Sequence, residues 1–156
     1  MVAILVIHAL AIALAWLCSS DGAVFAGVPV FAWCALWIFL LQWLAFIPAY
    51  LRQTEKYYDL VGSLTYISSM LLALALTGAD DLRSLLLAGV VFIWAGRLGS
   101  FLFSRIQQDG HDSRFDRIKP DPVLFFRTWS LQGLWVMVTA AAALAAISGG
   151  STDTIG

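Results

Sequence analysis

Five apolar blocks, separated by short polar links, constrain the fold of this chain more than any other feature. They span residues 2–18, 25–50, 59–77, 83–104 and 123–148. Each block is close to the roughly 20 residues that a helix needs to cross the core of a bilayer. Hydrophobic residues make up 61% of the chain and charged residues only 12%, which excludes an ordinary soluble domain. The sequence therefore predicts one all-α domain, a polytopic membrane bundle of five transmembrane helices.

Lysine and arginine are distributed unevenly among the links between these blocks. They are frequent in the second link, 51–58, and in the fourth, the loop 105–122, whereas the first link has none and the third has only Arg83. Because the basic links of multi-pass proteins usually face the cytoplasm, this pattern predicts a cytoplasmic N-terminus and an external tail from Ser151 to Gly156. An odd number of helices before so short a tail also predicts that the chain is the N-terminal portion of a larger bundle.

Several kinds of site are excluded by motifs that the sequence lacks. It contains neither GxGxxG nor GxxxxGK[ST], so a Rossmann domain or P-loop is not the source of any nucleotide site. Cys18 and Cys34 form no CxxC pair and no cluster with histidine, which argues against a disulfide framework and a metal site. A net charge of -1 gives no excess of basic residues, so no nucleic-acid partner is expected. The lipid bilayer is the partner that the composition predicts.

Arg97 lies inside the fourth block, where an arginine costs roughly 2.5 kcal/mol to more than 10 kcal/mol. It adjoins a face of small residues formed by Gly89, Gly96 and Ser100, whose spacing predicts close helix packing. We therefore expect Arg97 to point toward protein or toward a polar cavity. The alternative is an arginine that snorkels to the lipid headgroups.

The loop that follows this helix mixes positive and negative side chains. Arg105 lies at its start, and Asp112 and Arg114 follow within ten residues. Arginine forks bind phosphate groups, and a neighbouring aspartate can orient them. These residues predict an ordered loop that binds an anionic group at the edge of the membrane. In the alternative interpretation, the basic residues only set the membrane topology.

A polar stripe runs along the third helix. Asp59, Ser63 and Tyr66 fall at positions i, i+4 and i+7, on one face of an otherwise apolar helix. We expect this face to point inward. Asp59 is either an interfacial helix cap, with Tyr57 and Tyr58 in the aromatic belt, or a proton-transfer group that works with a tyrosine at a cytoplasm-facing mouth.

A second polar stripe runs along the fifth helix, where Thr128, Gln132, Trp135 and Thr139 share one face. Hydrogen bonding between helices explains such a stripe, because a buried amide in lipid needs partners. Equally, Gln132 could line a cavity that accepts Arg97. The residues alone leave both interpretations open.

Three segments together resemble a known family. They are TEKYYDLVGSLTYISSMLLAL, WAGRLGSFLFSRIQQDGHDSRFDRIKPDP and FFRTWSLQGLWV, which fall within residues 54–148. The succession RLGSFLFSR, DSRFD and LQG resembles bacterial membrane proteins known as steroid 5-alpha-reductase-like, which are similar to steroid 5-alpha-reductases and, more distantly, to isoprenylcysteine methyltransferases.

This resemblance implies a membrane enzyme that admits NADPH from the cytoplasm and reduces an activated double bond of a lipophilic substrate. It implies cofactor-binding residues at Arg97, Arg105, Asp112, Arg114 and Gln132. It also implies a functional aspartate at Asp59. For the proton that accompanies the hydride, we expect Tyr58, Tyr66 or Asp59 to act as the catalytic residue. Steroid reductases proper carry a glutamine–glutamate pair on the second helix, for which the nearest counterpart here is Gln42 followed by Trp43.

Two other functions keep the predicted fold and stay open at this point. One is a methyltransferase that uses S-adenosylmethionine, in the manner of the isoprenylcysteine methyltransferases. The other is a non-enzymatic membrane scaffold or transport subunit, in which the basic loop contacts only lipid or a partner protein.

Overall fold

The computed structural model describes residues 1–20 and 22–149, and in this part of the chain five α-helices form one bundle. The helices are α1 Val2–Leu17, α2 Val30–Leu51, α3 Tyr58–Thr77, α4 Leu82–Asp109 and α5 Pro122–Ser148. The predicted all-α membrane bundle is confirmed, and the four helices α2 to α5 are long and apolar enough to cross a membrane. The 16 residues of α1 reach about 24 Å, which is shorter than the hydrocarbon core of a typical bilayer. The tail from Ser151 to Gly156, which the sequence predicts to be external, lies outside the described residues.

The second helix begins later than residue 25, where the sequence analysis placed its start. Residues 24–29 form a small antiparallel hairpin, with strands β1 Val24–Phe25 and β2 Val28–Pro29. Its two turn residues, Ala26 and Gly27, have φ angles of +50° and +80°, the left-handed conformation that a two-residue hairpin turn requires. A chain in this conformation cannot be helical, so α2 starts at Val30.

The fourth helix extends further than predicted. It continues to Asp109, and Gly110 ends it at a φ of +81°, so the loop that was predicted to begin at 105 begins at 110. Within this loop, Ser113–Phe115 form one 3-10 turn that is capped by Asp112. The extension matters because it places Arg105 on a rigid helix.

Helix α4 packs against α3 through a small residue that the sequence analysis did not select. A Cβ atom on Gly99 would lie 2.6 Å from the Oγ atom of Ser63, so the two backbones meet here. Cβ atoms on Gly89 and Gly96 would have nothing within 4 Å among residues 1–20 and 22–149, and Ser100 is exposed. The prediction of a packing face at Gly89, Gly96 and Ser100 is therefore wrong.

The second and fourth links lie at the same end of the bundle. Between them, the Glu55 carboxylate accepts a hydrogen bond from the backbone N–H of Asp112 at 2.8 Å and pairs with the Lys119 ammonium at 2.6 Å. At the opposite end, the N–H of Ala23 donates to the carbonyl of Ser148. Both basic links therefore share one end, as the charge pattern requires of links on one side of a membrane.

Candidate functional site

A cavity of about 370 Å³ opens between α3, α4 and α5. Helix α4 contributes an apolar wall of Trp94, Leu98 and Leu102, which lie one turn apart on one face. Helices α3 and α5 contribute the polar groups on the facing sides. A largely apolar cavity with a few polar groups is typical of a site for a small lipophilic molecule.

The polar stripe of α3 points into this cavity, as the sequence predicts. Asp59, Ser63 and Tyr66 all line it. Asp59 is half-buried and forms no hydrogen bond or ion pair within residues 1–20 and 22–149. Tyr57 occupies the N-cap position of α3 without a side-chain capping bond, so the interpretation of Asp59 as a helix cap is wrong. The carboxylate is therefore available to a bound molecule.

The two tyrosines of the predicted site are held by hydrogen bonds to α5. The Tyr58 hydroxyl donates to the carbonyl of Thr128 at 3.0 Å. The Tyr66 hydroxyl lies 2.5 Å from the Oγ1 atom of Thr139, which itself donates to the carbonyl of Trp135. Thr139 therefore accepts the hydrogen bond that the Tyr66 hydroxyl donates. Because both phenol protons are engaged, Asp59 is the one of these three predicted residues that forms no side-chain hydrogen bond within residues 1–20 and 22–149.

The stripe of α5 both lines the cavity and bonds to α3. Gln132 and Trp135 are lining residues, whereas Thr128 and Thr139 bind the tyrosines. The Gln132 amide donates to the carbonyl of Tyr58 at 3.1 Å, and its Oε1 atom finds no partner among the described residues. Gly62 makes this approach possible, because a Cβ atom there would lie 2.7 Å from Nε2 of Gln132.

A second cavity, of about 350 Å³, lies at the loop end of α4. Arg105, Asp109, His111, Asp112 and Arg114 line this cavity, which we call the mouth. Arg105 is exposed and forms no ion pair with a carboxylate in the described part of the chain. Arg114 is paired with Asp112, because its Nε atom lies 3.0 Å from both carboxylate oxygens.

Electrostatics connect the mouth to the first cavity. The hydrogen bond and charge of Asp112 raise the pKa of Arg114 most, and the negative charge of Asp59 raises it further. The same ion pair lowers the pKa of Asp112, with a smaller contribution from the positive charge of Arg105. Arg105 and Arg114 both lie within electrostatic range of Asp59, which lines the first cavity.

Arg97 does not join either cavity. It lies near the midpoint of α4, is exposed, and makes no ion pair with a carboxylate among residues 1–20 and 22–149. The expectation that it points to the bundle interior is wrong for these residues. The reason is the rotation of α4: packing through Gly99 turns Leu98 toward the cavity, and Arg97 lies about 100° around the helix from Leu98.

Gln42, the counterpart of the reductase glutamine, lies away from the cavity. Its side chain is fully buried between helices, and its Nε2 atom donates to the hydroxyl of Thr65 at 2.9 Å. It is not among the lining residues of either cavity. Gln42 is thus a helix-packing residue in this structure.

Glu55 is the residue of this region that the sequence analysis missed. It is the one carboxylate in the otherwise basic second link, and that isolation was the available signal. Trp94, Leu98 and Leu102 carried no comparable signal, because apolar residues on an apolar helix are not distinguished by type. Only the packing of α4 against α3 shows which of them face the cavity.

Residues 45–156 match the family described as "Protein of unknown function (DUF1295)". The chain belongs to this family. Every residue that lines the cavity or the mouth falls inside the DUF1295 match, whereas α1 and the hairpin precede it. No curated protein and no solved structure shows significant similarity to the chain.

Proposed function

We propose that this DUF1295 protein is part of an NADPH-dependent oxidoreductase in the inner membrane of a bacterium. In this proposal it reduces an activated C=C bond of a lipophilic substrate, as steroid 5-alpha-reductases do. The mouth faces the cytoplasm, because its basic residues and those of the second link share one end of the bundle. The observation that carries the proposal is the position of an uncommitted carboxylate, Asp59, which lines a lipophilic cavity and lies within electrostatic range of the two arginines of the mouth.

The cavity suits the substrate class. Its apolar wall on α4 accepts a hydrophobic molecule that enters from the bilayer, and its polar side on α3 orients a carbonyl group. Asp59 lies at the mouth end of the α3 stripe, where it can hold and pass the proton that the reduction consumes. Tyr66 and Tyr58 support the site by fixing α3 to α5.

The mouth suits the phosphate groups of the cofactor. Arg105 offers a guanidinium that no described carboxylate occupies, and the side chain of Arg114 is 72% exposed beside Asp112. Both can donate to phosphate oxygens, while Asp112 holds Arg114 in a fixed direction. When bound, NADPH supplies the hydride. Arg97 lies on another face of α4, so in this proposal it does not contact the cofactor, and Gln132 shapes the substrate cavity.

A binding experiment tests this function. We expect the chain in lipid nanodiscs to bind NADPH, and Arg105→Ala to weaken this binding by roughly tenfold, since a charge-assisted hydrogen bond contributes about 1.5–3 kcal/mol. Arg83→Ala, in the first turn of α4 at the opposite end of the bundle, is the matched control and should bind as the wild type does. Titration calorimetry at constant salt measures all three.

The same titration with S-adenosylmethionine separates the alternatives. Binding of S-adenosylmethionine in place of NADPH would favour a methyltransferase. If neither molecule binds, the loop is a topology signal and a non-enzymatic role is favoured. An Arg105→Ala variant that binds NADPH as tightly as the wild type would contradict the assignment of the mouth.

A further inference from the structure

The carboxylate of Glu55 joins the second link to the loop that carries the mouth. Its Oε1 atom accepts a hydrogen bond from the backbone N–H of Asp112 at 2.8 Å, and its Oε2 atom accepts one from the Lys119 ammonium at 2.6 Å. We propose that Glu55 is a positioning residue for the phosphate-binding mouth, because it fixes the loop and thereby the guanidinium of Arg114. This inference rests on the proposed function for its ligand and on geometry for its contacts.

An unbroken series of hydrogen bonds connects Glu55 to Arg114. Glu55 accepts a hydrogen bond from the backbone of Asp112. The Asp112 side chain in turn accepts hydrogen bonds from the backbone N–H and from the Nε–H of Arg114, each at 3.0 Å. Lys119, the second partner of Glu55, lies on the far side of the 3-10 turn. One carboxylate therefore holds the turn at both of its ends, and the direction of the Arg114 fork follows from it.

A separate apolar contact packs the loop against the helix bundle. Phe115 is buried, and the centroid of its ring lies 5.1 Å from the ring centroid of Tyr58 and 6.3 Å from that of Phe125. Such contacts are not directional, whereas hydrogen bonds to a carboxylate are. Loss of Glu55 should therefore release the orientation of Arg114 while Phe115 keeps the loop attached to the bundle.

The charge of Glu55 is balanced within this group. Only 3% of its side chain is exposed, and an isolated charge in such a place is costly. Burial opposes ionisation, but the Lys119 ammonium and the Asp112 N–H outweigh it and lower the pKa of Glu55. Lys119 also lies 3.8 Å from Asp116, which faces His111 at 4.0 Å. The carboxylate is thus ionised at neutral pH, with its acceptor atoms directed at the loop.

Two substitutions at this position separate positioning from folding. Glu55→Gln keeps an acceptor for the Asp112 N–H and loses the charge that pairs with Lys119, whereas Glu55→Ala loses both. The exposed Asp80, in the link at the opposite end, supplies the matched control Asp80→Ala. All variants are prepared as the full chain in nanodiscs. Hydrogen–deuterium exchange of residues 110–121 reports the order of the loop, and calorimetry reports the affinity for NADPH.

We expect Glu55→Ala to accelerate exchange in the loop, to leave exchange in α3 to α5 unchanged, and to weaken NADPH binding by at least about tenfold. Glu55→Gln should recover part of both losses, because it restores one directional bond, and Asp80→Ala should change neither.

The inference is overturned if Glu55→Ala leaves loop exchange unchanged, or if the loop loosens and NADPH affinity does not fall. If the wild type binds no NADPH, the proposed function fails separately. In that case loop exchange in Glu55→Ala and Glu55→Gln still decides whether Glu55 fixes the loop.

Discussion

The contact between Gly99 and Ser63 gives the sharpest prediction of this fold. A Cβ atom on Gly99 would lie 2.6 Å from the Oγ atom and 2.7 Å from the Cβ atom of Ser63, where ordinary contact begins at 3.4 Å. Gly99→Ala must therefore push α4 away from α3 or rotate it. Overpacking of this kind costs about 1–3 kcal/mol of unfolding free energy. Because α4 carries the apolar wall, the same displacement should reshape the cavity.

Gly96→Ala is the matched control on the same helix. A Cβ atom at Gly96 meets nothing within 4 Å, so alanine there should be neutral or stabilising by about 0.5–1 kcal/mol through its better helix propensity. Unfolding in mixed micelles, followed by circular dichroism, compares the two variants. Ser63→Gly removes both clashing atoms, so a double-mutant cycle with Gly99→Ala should show coupling of at least about 1 kcal/mol. Equal stability of the two alanine variants, or no coupling, would refute the close approach of α3 and α4.

Further predictions concern the site and its surroundings. Asp59→Asn should abolish turnover of an enone with NADPH. It should leave the unfolding free energy unchanged, because Asp59 forms no hydrogen bond with a described group. Tyr66→Phe should instead lower the unfolding free energy by about 0.5–1.5 kcal/mol in chemical denaturation, because it loses the hydrogen bond to Thr139. Gln42→Leu should change stability by less than about 1 kcal/mol and leave NADPH affinity intact. The hydrogen bond to Thr65 that it loses is offset by the removal of a buried oxygen that has no partner in the described chain. Because the pKa of Glu55 is lowered, its contribution to loop order is complete above the ordinary glutamate range and is lost as the pH falls through the lowered value. Lys119→Met removes an ammonium that lowers this pKa, so the loop should lose order at a higher pH in the variant than in the wild type. Hydrogen exchange across a pH series measures both.

Much of the candidate site could be predicted from helical spacing. The stripe of Asp59, Ser63 and Tyr66 lines the cavity as expected, because residues at i, i+4 and i+7 share a helix face whatever the tertiary arrangement. Gln132 and Trp135 of the α5 stripe line the same cavity for the same reason. Spacing did not show that both tyrosine hydroxyls are engaged in hydrogen bonds, since that depends on the partners that α5 offers to α3.

Arg97 and Glu55 show where sequence reasoning failed. Arg97 was assigned to the interior because it adjoins small residues, but several small residues on α4 could serve as the packing face, and the fit of Gly99 against Ser63 selected another one. Glu55 received no role, because its partners at Asp112 and Lys119 lie 57 and 64 residues away along the chain. Contacts of that separation carry no periodic signal.

The sequence by itself determined the fold class, the approximate extent of the helices and the assignment of both basic links to one side of a membrane. These properties follow from local hydrophobicity and charge, because each segment partitions into the bilayer according to its own composition. The tertiary structure alone decided the rotation of α4, the identity of the uncommitted carboxylate and the contact of Glu55 with the loop. Each of these depends on how the helices fit against one another, and steric fit is a property of pairs of surfaces rather than of either sequence segment.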